Sequence, residues 1–184
     1  MKEMNDYSGP FKPDLQYEDF SKEFLIKLMK VWQYFYLEMA SAWYDGVEKR
    51  FGFDAANGCE AEAWIRVAKR SLPRLVKAAN IELKTVLDSM KVLQLPPDNN
   101  VFMYPARFEI KNENHVIMTI TRCSGLEYWE KARPERIDAM CRGTALVLDP
   151  MYAVNPKVKG KAIKLPPRGS QNEPACVWEW TLEE

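Results

Sequence analysis

One histidine, His115, serves the whole 184-residue chain, so histidine-rich metal chemistry has no ligands here. No H-E-x-x-H, Walker loop, G-x-G-x-x-G or G-x-S-x-G occurs either, which removes the sequence grounds for a zincin, a P-loop enzyme, a dinucleotide-binding domain or a serine hydrolase. There is no surplus of charge: 26 basic and 26 acidic side chains cancel, leaving no long-range field to gather nucleic acid or an anionic membrane, so neither is expected as a partner. No segment reaches the roughly 18 uninterrupted apolar residues of a spanning helix. The opening "MKEMNDYSGPFKPD" has no apolar signal-peptide core, and a cytoplasmic location is the expectation. Internal repeats, low-complexity tracts and linker-like composition shifts are also missing, so the length fits one domain over residues 1–184.

Cysteines are few and widely spaced. Cys59, Cys123, Cys141 and Cys176 show no small-secreted-domain pattern and are expected as thiols. No C-x2-4-C knuckle advertises zinc, although Cys123, Cys141 and Cys176 with His115 or a carboxylate would suffice if they met. No metal site and no cofactor are assigned. What the chain has in plenty is bulk: six Trp, eight Tyr, eight Phe and nine Met, the material of a large core or an apolar pocket.

Helical periodicity dominates the first half. Phe24, Leu28, Trp32, Phe35, Met39, Trp43 and Val47 recur every three or four residues over a long uninterrupted stretch. Leu25, Met29 and Tyr36 widen that stripe, which predicts a central helix touched on more than one side. A second helix follows Gly52 and contains Pro73, which is expected to kink or split it near Arg70. A third covers about 82–93. Beyond Pro96-Pro97 the period changes: "VFMYPARFEIKN" and "HVIMTITRC" read as strands joined by Asn112-Glu113-Asn114 in a hairpin. Helices over about 125–132 and 134–148 come next, then strands in "PKVKGKAIKLPP" and "ACVWEWTLEE", with "LPPRGSQNEP" as a polar loop between them. The sum is an α+β fold, N-terminal helices packed on one face of a roughly four-stranded, largely antiparallel sheet.

Cys123 is the leading candidate for chemistry. It ends a strand just before Ser124 and Glu127, an S-x-x-E capping box, and a helix N-terminus favours a thiolate. Packing is the plainer explanation of any unpaired cysteine, and it fully explains Cys141 beside Ile137, Met140, Ala145 and Leu148. His115 cannot be its base along one strand, since eight residues span about 26 Å. Glu179, between Trp178 and Trp180, and Glu127, in the cap, are the alternative proton carriers. Glu179 has the plain reading of a wet strand face, and the alternating lysines of "PKVKGKAIKLPPR" that of edge protection.

The stretches "DYSGPFKPDLQYEDFSKEFL", "AWY" in the long helix, the unit from Cys123 to Cys141 and the closing "CVWEWTL" resemble a family of bacterial and archaeal cytosolic proteins of unknown function. That family is similar in turn to proteins grouped with 2-amino-thiazoline-4-carboxylate hydrolases. More remotely, helices followed by a small sheet with a cysteine-bearing last strand are similar to the 4-vinyl reductase, or hydrocarbon-binding, fold, related to haem nitric-oxide sensors and a vesicle-tethering subunit. The remote resemblance implies an apolar pocket between helices and sheet and, in some relatives, a metal. His115 departs from it, because no haem-ligand context surrounds a histidine that begins a strand.

Two functional expectations follow. The first is a small-molecule-binding domain for an apolar or heterocyclic ligand, with Trp32, Trp43, Trp178 and Trp180 as ligand-binding candidates. The alternative is a hydrolase of a small heterocyclic amide-like substrate, with Cys123 as nucleophile or metal ligand and Glu179 or Glu127 moving protons. Exposed aromatic side chains of the long helix also suit a homodimer face.

Overall fold

The computed structural model describes residues 3–97, 104–141 and 155–183. It is α+β, with four α-helices, α1 (Lys22–Phe51), α2 (Phe53–Ala78), α3 (Val86–Leu93) and α4 (Ser124–Ala132), among the described residues. A further helical stretch covers residues 137–141; the rest of the helix expected to 148, with Ala145 and Leu148, lies outside the described residues, as do positions 101–103 of the first expected strand. Four strands, β1 (Ala106–Asn112), β2 (His115–Ile120), β3 (Val158–Lys164) and β4 (Cys176–Leu182), form one antiparallel sheet in the order β1-β2-β4-β3.

The backbone falls into two compact units, Met1–Trp43 and Tyr44–Glu184. In the first, the N-terminal arm returns on itself: Met4 bridges Phe20, the Met4 N–H donates to the Asp19 carbonyl at 2.8 Å, and Lys12 pairs with Asp19. Phe20 anchors the arm, buried edge-on to Tyr7 and 4.7 Å from the Phe24 ring. Along α1 much of the apolar stripe carries exposed side chains. Trp32, Phe35, Met39 and Trp43 are 44–72% exposed, and in this stretch of the helix Gln33 is the buried residue.

In the second unit, Tyr44 is buried and donates to Asn57 Oδ1 at 2.8 Å, tying the end of α1 to the start of α2. Burial, with Glu48 nearby, pushes the Tyr44 hydroxyl up to about 12. Glu48 accepts from Arg133 and Arg136, and Arg136 lies over the Phe53 ring. The helix α2 continues through Pro73, so of the kink or split expected there the split does not occur. One lost N–H is absorbed because good helix formers, "AEAWIRVAKR" and "RLVKA", hold the turns on both sides.

Period-two alternation gives the sheet one inner face. Val116, Met118 and Ile120 of β2 and Trp178 and Trp180 of β4 are buried there, under Val86, Met90 and Leu93 of α3, Leu126 of α4 and Ile137. The register pairs Met118 with Trp178 and Val116 with Trp180, so the two large indoles cross directly onto β2 side chains. Full burial of such side chains, worth roughly 1.5–3 kcal/mol each, makes this layer the main stabiliser of the unit.

Candidate functional site

The cysteine corner forms where β2 and β4 end together. Ile120 pairs with Cys176, and three residues beyond Ile120 the chain turns into α4 at Cys123. Cys123 itself is the N-cap, and its Sγ accepts from the Leu126 N–H at 3.4 Å. The expected Ser124–Glu127 capping box is therefore replaced. The helix begins one residue earlier, and Glu127 turns to the guanidinium of Arg122 at 2.7 and 2.9 Å, a stronger partner than a backbone N–H.

Cys141 and Cys176 complete the corner, and all four cysteines are free thiols. Burial pushes Cys141 up to about 12, with the neighbouring Cys123 and Cys176 adding to it. Burial likewise raises Cys176 to about 11 against a hydrogen bond from Trp178 Nε1. Cys123 is also raised by burial, opposed by the N–H groups of Leu126 and Gly125. Desolvation thus outweighs the helix N-terminus, and these are protonated thiols near neutral pH. Among the described residues, no three His, Cys, Asp or Glu side chains stand where they could hold a metal ion.

Both expected proton carriers are hydrogen-bonded to groups other than Cys123. Arg122 holds Glu127 below the usual carboxylate range, and the negative charge of Glu127 raises the thiol further. Glu179 lies on the outer sheet face beside Ile117, hydrogen-bonded to His115 Nε2 at 3.0 Å, while Cys123 packs with the inner-face cluster. The sheet separates the two groups.

Arg168, from the polar loop, is a residue the sequence reading did not single out. It is almost fully buried and makes a bidentate pair with Glu130 of α4 at 2.7 and 2.8 Å, while Nη1 donates to the carbonyls of Gln171 and Glu173 at 3.3 Å. That clamp fastens the loop before β4 to α4 and so positions Cys176 near Cys123. An arginine in "LPPRGSQNEP" carries no local mark of burial.

An apolar cleft of about 200 Å³ opens beside the core, between the C-terminal end of α3, the segment before β1, and the inner face of β1 and β2. Leu93, Pro105, Phe108, Met118 and Ile120 line it, with Gln94 and Tyr104 as polar side chains. Ala106, opposite Ile120 in the register, also lines the cleft, a methyl group on a strand whose next inner residue is Phe108. The sequence signal was the alternation of Ala106, Phe108 and Ile110, which marks a face without saying that a gap follows.

The tryptophan candidates divide. Trp178 and Trp180 are core residues with ring centroids 6.4 Å apart, 4% and 1% exposed, and present almost no surface to a ligand. Trp32 and Trp43 are half exposed on α1, three turns apart, and Trp32 stands edge-on to Tyr17 at 5.7 Å. No helix among the described residues is long and apolar enough to cross a membrane. A family model described as "Family of unknown function (DUF6125)" matches residues 18–182. No curated protein and no solved structure matches the chain.

Proposed function

We propose that this chain, which belongs to the DUF6125 family, binds a small apolar or heterocyclic molecule in the cleft beside Ala106. The observation that carries the reading is the lining: a concave apolar wall with two polar side chains to orient a guest, the usual make-up of a small-molecule site. At about 200 Å³ the cleft is smaller than most drug-sized pockets, so a single- or fused-ring compound is the fitting class. The resemblance to the hydrocarbon-binding fold supports the same class of ligand. Indole is a suitable probe. Calorimetric titration should give saturable binding with a negative heat-capacity change, the mark of apolar burial. Ala106→Leu should weaken it about tenfold or more by filling the space. Equal binding by that variant would exclude the cleft.

A hydrolase is the second reading, favoured by Cys123 at the N-terminus of α4 with two backbone N–H groups directed at its sulfur. The resemblance to 2-amino-thiazoline-4-carboxylate hydrolases supports a cyclic, amide-like substrate. Glu127 and Glu179 are engaged elsewhere, so this reading requires a proton carrier other than those two. Ring opening of a 2-aminothiazoline carboxylate, lost in Cys123→Ser with indole binding intact, would establish it; no turnover by the wild type excludes it.

A further inference from the structure

We propose that β1 pairs with β1 of a second copy of this chain, antiparallel across a two-fold axis at Phe108, so that two sheets join edge to edge. β1 ends the sheet order β1-β2-β4-β3, and among the described residues no strand pairs with its second edge. Every residue concerned belongs to the one compact unit Tyr44–Glu184. The Thr121 N–H donates to the Pro105 carbonyl at 2.8 Å, one step beyond the Ala106–Ile120 pair, and this fixes the alternation of the ladder. Pro105, Arg107 and Glu109 direct their backbone groups at β2, whereas Ala106, Phe108 and Ile110 direct theirs at the free edge. No proline interrupts Ala106–Asn112, and the register shift of the strand lies past Ile110, so those three residues present a regular row of donors and acceptors. An open edge of this kind is a template for another strand.

The occupant is a second copy because the strand complements itself. With the axis at Phe108, that residue exchanges both backbone hydrogen bonds with its own counterpart, and Ala106 exchanges both with Ile110 of the other copy. Arg107 then stands directly opposite Glu109 of the other copy, in the closer-spaced pairs between those bonds, on the outer sheet face where both are exposed. Lys111 engages one oxygen of Glu109 on its own strand, and a carboxylate accepts from two cations at once. On the inner face Ile110 is 58% exposed although Ala106 and Phe108 of the same face pack against the core, and the methyl group of Ala106 opposite leaves room for it. Moving the axis one residue either way sets Arg107 against Arg107 or Glu109 against Glu109. At the other edge of the sheet, self-pairing of β3 about Gly160 sets Lys159 against Lys161, so that edge opposes its own copy. The pairing rests on the strand edge and not on the cleft's holding a ligand. Isologous pairing of this kind is the commonest closed symmetry of soluble oligomers.

Sedimentation equilibrium of the full chain tests the pairing. The wild type should have twice the 21.4 kDa chain mass. Ile110→Pro removes an N–H from the free edge and none from the ladder with β2, so it should give a monomer with unchanged far-UV circular dichroism. Should that variant unfold, the charge series decides. Arg107→Glu and Glu109→Arg should each raise the dissociation constant roughly tenfold, because each sets two symmetric pairs of like charges across the axis. The double variant, which restores opposite charges, should return to within about threefold of the wild type. A wild-type monomer, as found if this edge is covered by another part of the chain or by an unrelated protein, overturns the inference. So does a dimer untouched by the proline and charge variants alike, or a double variant no better than either single one.

Discussion

At the scale of single residues, the thiols show how one position can satisfy a local rule and still be governed by its surroundings. Cys123 does sit at a helix N-terminus and does accept from backbone N–H groups, as its place before "SGLE" suggested. Burial nevertheless raises it, because the favourable groups act on a sulfur that has lost its water. Adjacent sequence lists the donors at a cap; it does not report the neighbouring Cys141 and Cys176 or the pairing of Arg168 with Glu130. Cys59, which the sequence left unplaced, is the exposed one. Alkylation of the native protein near neutral pH, followed by peptide mass spectrometry, should therefore label Cys59 first, Cys123 slowly, and Cys141 and Cys176 only on unfolding. Labelling of Cys141 or Cys176 ahead of Cys59 would contradict the burial described for this corner.

At the scale of elements, α3 is the clearest case of local chemistry fixing a boundary. Thr85 Oγ1 accepts from the Asp88 N–H at 3.2 Å while Asp88 Oδ2 accepts from the Thr85 N–H at 3.1 Å, so the helix starts at Val86 and not at the expected 82. The T-x-x-D pattern of Thr85 and Asp88 marks this boundary in the sequence. Burial alone would raise the Asp88 carboxyl; hydrogen bonds from Lys91, Thr85 and the Lys84 and Thr85 N–H groups bring it down to about 2. A carboxyl depressed in the folded state contributes stability that is complete above its unfolded value, near 3.8, and is lost as the pH falls through about 2. Asp88→Asn should thus cost about 1–2 kcal/mol in urea unfolding near pH 7, with the difference from wild type shrinking towards pH 2. A pH-independent difference would show that the cost is one of shape and not of charge. Pro73 is the converse case, a strong local signal overridden by the helix on either side.

At the scale of the whole molecule, the α+β class, the four strands, the hairpin at residues 112–114 and the inner face carrying Trp178 and Trp180 were all legible, because each rests on a period or a turn contained in a short stretch. The candidate site was much less so. Phe108, Met118 and Ile120 come from two strands and Leu93 from a helix, and each reads in sequence as ordinary core; that they line a cleft together with the small Ala106 is a matter of volume, which periodicity does not register. Bulk marks both a pocket wall and a filled core, and of the tryptophans Trp178 and Trp180 lie in the core while Trp32 and Trp43 are half exposed. The central claim is that the Ala106 cleft takes a small ring compound, and the nine methionines make it directly observable. In a titration of methionine-methyl-labelled protein with indole, followed by two-dimensional NMR, the Met118 methyl should shift progressively to saturation, while those of Met29 and Met39 on α1 stay in place. Saturable binding that leaves Met118 unmoved, or no binding at all, would contradict the account.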